Sequence, residues 1–198
     1  MNIFSFKKCI PFGRLDDRGS FMNIVVLSGS MRKEGNTDLL VKSFVKGANK
    51  NNEVEVISVA DYKVNPCIGC NSCFEREGNR CFQKDDMDII YEKLSKADMI
   101  VIASPVYFYG ISAKLKAIVD RLHTPLRNTF KLQKLALLLV AAAVIPGVFD
   151  SIEVQYKLVL DFFKLEDSGK VLVRGVKNKG DIKGNKALDE AYKLGSSI

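Results

Sequence analysis

The chain lacks an apolar run of membrane length, an export signal, an internal repeat and all but one histidine. Its longest nearly continuous apolar stretch, residues 135–149, is broken by Pro146-Gly147 and falls short of the roughly 20 residues that a membrane span requires. That stretch reads as a buried strand running into a loop. Residues 1–21 have no steady period and no long apolar core of the signal-peptide kind. We expect the domain to start at Met22, with a leader that is disordered or an upstream mis-start. Basic residues are not gathered into aromatic-flanked runs. The net charge of +7 is spread along the chain, with only a loose basic stretch from Lys177 to Lys186. A solvated surface is the plain reading; nucleic acid has no support, and an anionic cofactor or an acidic redox partner fits the charge equally well. The single histidine, His123, falls at the end of a helical segment, where a structural or interface role outweighs proton transfer. With no export signal, the cysteines are expected to be reduced and the protein cytoplasmic.

What is present is ordinary for a globular domain: 198 residues, 47% hydrophobic and 27% charged, enough for one sizeable core. From residue 22 onward, strand-length apolar runs alternate with helix-period segments. The candidate strands are 23–27, 54–58, 99–103, 135–142 and 170–174, and several are continuously apolar, as parallel strands covered on both faces are. The candidate helices are 36–50, 85–96, 112–122, 149–164 and 186–194, with Asn36, Asp85, Ser112 and Asp150 as polar caps. Five βα units predict an α/β doubly wound parallel sheet with helices on both faces. Ligands in such sheets bind beyond the carboxyl ends of the strands, where strand order reverses.

Three loops carry chemistry. The loop after the first strand, Ser28-Gly29-Ser30-Met31-Arg32-Lys33-Glu34-Gly35-Asn36-Thr37, leads hydroxyls, glycines and a guanidinium into a helix N-terminus. It is neither G-x-G-x-x-G nor a Walker A loop, so a single phosphomonoester fits better than a pyrophosphate. A simple capped turn is the plainer reading. The loop after the third strand, Ser104-Pro105-Val106-Tyr107-Phe108-Tyr109-Gly110, sets three aromatics where the strand is expected to have ended. A planar ring could pack there, or the loop could cover the sheet or an interface. The third feature is Cys67, Cys70, Cys73 and Cys81, spaced C-x2-C-x2-C-x7-C in an insertion at 65–84. This compact spacing suits an iron–sulfur cluster. A structural zinc and a disulfide are the rivals, and the usual zinc ribbon separates its two hairpins more widely. Asp85-Asp86 reads as a cap of the second helix, and Asp120-Arg121 as making helix or subunit contacts.

The segments G-S-x-R-x-x-G-N-T at 29–37, S-P-V-Y-F-Y-G at 104–110, A-K-L-K-A-I-V-D-R at 113–121 and the cysteine pattern resemble the flavodoxin-fold NAD(P)H-dependent FMN reductases. Within them, the chain is most similar to the iron–sulfur flavoproteins. The resemblance implies a five-stranded parallel sheet of order 2-1-3-4-5. It implies FMN phosphate on Ser28, Ser30, Arg32, Asn36 and Thr37, and the flavin ring on Pro105, Val106, Tyr107, Phe108 and Gly110. A 4Fe-4S cluster would rest on Cys67, Cys70, Cys73 and Cys81. Met31 stands where many relatives have proline. The loop at 141–147, Ala-Ala-Ala-Val-Ile-Pro-Gly, offers the ring only backbone groups. The implied activity is oxidoreduction with NADH or NADPH as donor and a small-molecule acceptor, and no side chain is assigned a catalytic role. An electron-transfer protein served by a ferredoxin-like partner is the second reading, and a zinc or thiol redox sensor without flavin the third. Homodimers or homotetramers are implied, without nucleic acid or membrane.

Overall fold

The computed structural model describes residues 21–198, so the expectation for the leader lies almost wholly outside it. A parallel sheet runs through the molecule in the order β2-β1-β3-β5-β6, where β1 is Asn23–Ser28, β2 Glu53–Ser58, β3 Met99–Tyr107, β5 Lys134–Val140 and β6 Glu166–Val173. A two-residue strand, β4 (Gly110–Ile111), turns back antiparallel on the end of β3. Counted by the parallel strands alone, this is the flavodoxin-like order 2-1-3-4-5. The sheet reverses direction of winding between β1 and β3, whose ends lie side by side with Ser28 opposite Ala103.

Continuous apolar strands serve two cores because successive side chains point to opposite faces. Val25, Leu27, Ile100, Leu135, Leu137 and Leu139 pack on one face with Ile90, Leu94, Leu115, Ile118 and Ile152. These belong to α3 (Met87–Leu94), α4 (Ala113–Arg121) and α5 (Asp150–Phe163). Ile24, Val26, Met99, Val101, Ala136 and Leu138 face the other side, against Leu40, Phe44 and Ala191 of α1 (Asn36–Ala48) and α6 (Ala187–Ser196). Between β2 and α3 the cysteine insertion forms only a four-residue turn of helix, α2 (Ser72–Glu75), and a 3-10 turn at Glu77–Asn79.

Several boundaries differ from expectation. β3 runs four residues further than the apolar pattern suggests, through Pro105 to Tyr107. Proline is tolerated there because pairing with β1 ends at Ala103, leaving β5 as the only parallel neighbour. β6 starts at the polar Glu166, four residues early, with a register shift opposite Leu135 and Leu137. Of the expected caps, Ser112 accepts the Leu115 N–H and Asp85 accepts the Met87 N–H, while Asn36 and Asp150 are themselves the first residues of their helices. The residue preceding α1 is Gly35, with no side-chain cap. α3 begins at Met87, whose N–H is accepted by the Asp85 carboxylate two residues earlier.

Candidate functional site

The carboxyl ends of β1 and β3 bring the first two loops together. Gly29 donates its N–H to the Ala103 carbonyl at 2.7 Å. A Cβ at position 29 would lie 2.7 Å from Ser112 Oγ and 2.9 Å from Leu115, so only glycine lets the loop pass this close to the start of α4. Ser28 is buried beneath it. Beyond, the Ser30 hydroxyl accepts the Arg32 N–H at 3.1 Å, and Gly35 closes the turn onto the Arg32 carbonyl at 3.1 Å. Because Gly35 offers no side chain, the first amides of the 13-residue α1 remain open to an anion.

Asn36 and Thr37, at the head of α1, are buried. The Asn36 amide is engaged with residues 178–182: its nitrogen donates to the Asn178 carbonyl at 2.8 Å, and its oxygen accepts the N–H groups of Gly180 and Ile182. Arg32 is exposed and reaches the same segment, donating to the Lys177 carbonyl at 3.4 Å. The basic stretch near the chain end therefore lies beside the first loop. Lys179 and Lys183 help hold the Glu34 carboxyl below its ordinary value, after the larger effect of its hydrogen bond to Lys42.

Pro105, Val106 and Tyr107 lie at the end of β3, and Tyr107 pairs with Gly110. The two residues between them, Phe108 and Tyr109, both have positive φ, at 47° and 65°. This is the geometry of a two-residue hairpin turn that Asn-Gly ordinarily occupies. Bulky aromatics in that conformation are strained, of order 1–3 kcal/mol each. The surrounding structure holds them. Ser104 Oγ accepts the Ser112 N–H at 3.0 Å, and the Ser151 hydroxyl of α5 donates to the Tyr109 carbonyl. Phe108 is 99% exposed, and Tyr107 and Tyr109 are about half so. An apolar surface is thus presented to solvent at the sheet's ligand-binding edge. The loop at 141–147, which follows β5, leaves Val144 and Ile145 exposed and holds Gly147 at a φ of 76°.

All four cysteines line a single pocket, and none is in a disulfide. The insertion is tied at its neck by two adjacent carboxylates. Asp85 accepts the Asn65 N–H at 2.8 Å, and Asp86 accepts the Lys63 N–H at 2.6 Å. Asn79 links its far side, donating to the Cys73 carbonyl and accepting the Thr124 hydroxyl. Gly69 and Asn71 take left-handed conformations, which turn the chain between the cysteines. Cys70 lies 3.2 Å from Ser72 Oγ, and that hydrogen bond lowers its thiol pKa.

Tyr91, Arg121 and His123 form the far wall of the pocket. The Arg121 side chain is 2% exposed and pairs with Asp85, whose side chain is 4% exposed. Nη1 donates to Asp85 and to the Asn65 carbonyl, while Nε, equally buried, has no partner. His123 packs on Phe74 with ring centroids 5.6 Å apart. Neither Arg121 nor His123 was legible as part of this pocket, because the insertion and α4 are some forty residues apart in sequence. The only sequence signal is that Arg121 and His123 share the last turn of one helical segment.

A sequence profile of the NADPH-dependent FMN reductases matches residues 22–167. The chain belongs to this family. It is 48% identical over 113 residues to an iron–sulfur flavoprotein of Methanocaldococcus jannaschii, a match covering 57% of each chain. The chain thus spans little more than half the length of that relative, and 46% of a second iron–sulfur flavoprotein, from Archaeoglobus fulgidus, at 34% identity over 102 residues. Among solved structures it resembles an NAD(P)H:quinone oxidoreductase from Methanothermobacter marburgensis at a TM-score of 0.70, 14% identity and coverage of 89% and 98% of the two chains. That likeness concerns the fold.

As a member of the FMN reductases, the chain has residues that suit the group its family is named for. The narrow passage at Gly29, the uncapped helix and the exposed aromatic hairpin all lie at one edge of the sheet. The four cysteines that line one pocket are a donor set of the kind that holds an iron–sulfur cluster or a zinc ion. Among the described residues, no group of three His, Cys, Asp or Glu stands close enough together to hold a metal ion as the side chains lie. Arg121, which lines the same pocket, keeps a buried Nε–H without an acceptor. Among the described residues, no helix is long and apolar enough to cross a membrane.

Proposed function

We propose that the protein is an FMN-dependent oxidoreductase that takes electrons from NADH or NADPH, and that its cysteine loop holds a 4Fe-4S cluster. The observation that carries the second part is that Cys67, Cys70, Cys73 and Cys81 all line one pocket, outside any disulfide. When bound, FMN supplies the exchange of electrons as hydride or singly. The chain's own residues bind and orient. The open amides of α1, with Ser28, Ser30, Arg32 and Thr37 around them, receive the phosphate. Asn36 acts there by holding residues 178–182 against the loop, and Pro105 to Gly110 offer the ring an apolar platform. We assign no side chain as acid or base.

An acceptor would enter from solvent over Phe108, which is fully exposed among the described residues. Assembly with further copies of the chain belongs to the same proposal. α5 carries exposed Val154, Leu158 and Phe162 at a spacing of four, one apolar stripe for a second copy to cover.

The test is an anaerobic absorption spectrum, with flavin, iron, sulfide and zinc quantified on one sample. Flavin bands with about four irons per chain, and oxidation of NADPH with an added quinone or flavin, are expected. Flavin and iron without turnover from either nicotinamide would favour an electron-transfer protein served by a ferredoxin-like donor. Zinc without flavin would replace both readings with a redox or metal sensor.

A further inference from the structure

We propose that Arg121 is a positioning residue for the cysteine-held cluster, donating its Nε–H to a sulfur of that group. The inference rests on the cluster reading above. A guanidinium presents a rigid fork of donors, and buried forks are normally filled. Here one arm is filled: Nη1 donates to Asp85 and to the Asn65 carbonyl. The Nε–H is left without an acceptor in a side chain 2% exposed. Leaving such a donor empty is unfavourable, and the cysteines line the pocket that Arg121 also lines.

The hydroxyls nearby are engaged elsewhere. Thr124 Oγ1 donates to the Asn79 carbonyl and accepts from Leu126, and Tyr91 Oη donates to the Arg121 carbonyl at 2.8 Å. Asp85 fixes where the donor sits. Its carboxylate holds the guanidinium, accepts the Asn65 N–H at the loop neck and accepts the Met87 N–H at the start of α3. One carboxylate therefore aligns the cysteine loop and the donor together.

A donor to a cluster sulfur stabilises the more negative, reduced state, so it raises the midpoint potential. The experiment reconstitutes the full chain anaerobically with iron and sulfide and compares it with Arg121→Lys and Arg121→Gln. Lysine keeps the charge beside Asp85 and removes the Nε–H. The expected result is an unchanged flavin potential, unchanged iron content and a lowered cluster midpoint in Arg121→Lys. An unchanged cluster midpoint in an iron-replete Arg121→Lys overturns the inference. A wild-type chain that binds flavin but no iron overturns the cluster reading itself. If both variants lose iron, Asp85→Asn decides, because it loosens the neck but leaves the Nε–H in place. Iron retained there supports the donor, and equal loss shows that only closure of the neck matters.

Discussion

A side chain at position 29 has nowhere to go. The Cβ of Gly29→Ala would stand 2.7 Å from Ser112 Oγ and 2.9 Å from Leu115, both held by the start of α4. We expect this variant to lose about 1–3 kcal/mol of stability, the usual penalty of overpacking, and to bind FMN more weakly because the first loop is displaced. Urea unfolding and a flavin fluorescence titration measure the two effects. Normal values for both would show that the loop can retreat. Residue-scale readings were otherwise uneven. The hydroxyl and glycine pattern at 28–37 suggested a ligand loop, and the structure brings that segment to the carboxyl edge of the sheet beside the start of α4. Asn36 looked like a cap, but its amide is satisfied by residues 178–182. No local pattern can show a bond that spans more than 140 positions.

At the scale of elements, α1 and α6 cross with almost no separation. Gly47 and Gly195 occupy the crossing, and a Cβ on Gly195 would meet the Phe44 carbonyl, as one on Gly47 would meet that of Tyr192. Neither obstacle is the flexible end of a side chain. Gly195→Ala is therefore expected to destabilise by several kcal/mol, beyond the roughly 1 kcal/mol that alanine gains from helix propensity. A thermal scan in which Gly195→Ala melts at or above the parent would refute the contact. The central strands β1, β3 and β5 were legible because buried parallel strands run apolar, β2 by its alternating valines, and the helices because one face repeats. The ends of β3 and β6 were not. A proline and a polar start argue against strand locally, and both are tolerated only because of which neighbours run alongside. The β3–β4 hairpin was equally hidden, since Phe108 and Tyr109 are poor choices for a turn with positive φ. Their presence there is itself a mark of function.

For the whole molecule, two buried tyrosines set the alkaline limit. Tyr156 is pushed well above the ordinary value of 10.0, chiefly by burial and then by its hydrogen bond with the Asp167 carboxylate at 2.7 Å. Tyr91 is raised to about 12, again mainly by burial. Both folded-state values exceed the unfolded one, so their contribution is complete below pH 10 and declines as pH rises past it. Each tyrosine removes about 1.4 kcal/mol per pH unit until its folded-state value is reached. Denaturant midpoints followed upward from about pH 9 should fall accordingly, and Tyr156→Phe should flatten part of the slope. An unchanged slope would mean that Tyr156 ionises as freely in the fold as outside it.

One short helix joins the two places where chemistry is expected. α4 begins at Ser112, against the glycine of the first loop, and ends at Arg121, in the wall of the cysteine pocket. At 1.5 Å per residue, its nine residues make a strut of about 14 Å. The separation between the two pockets is therefore gauged by a rigid rod. A single inserted residue would lengthen the rod by about 1.5 Å and swing Arg121 about 100° away from the sulfurs. Length and phase are locked together, so neither pocket can drift without putting the other out of register.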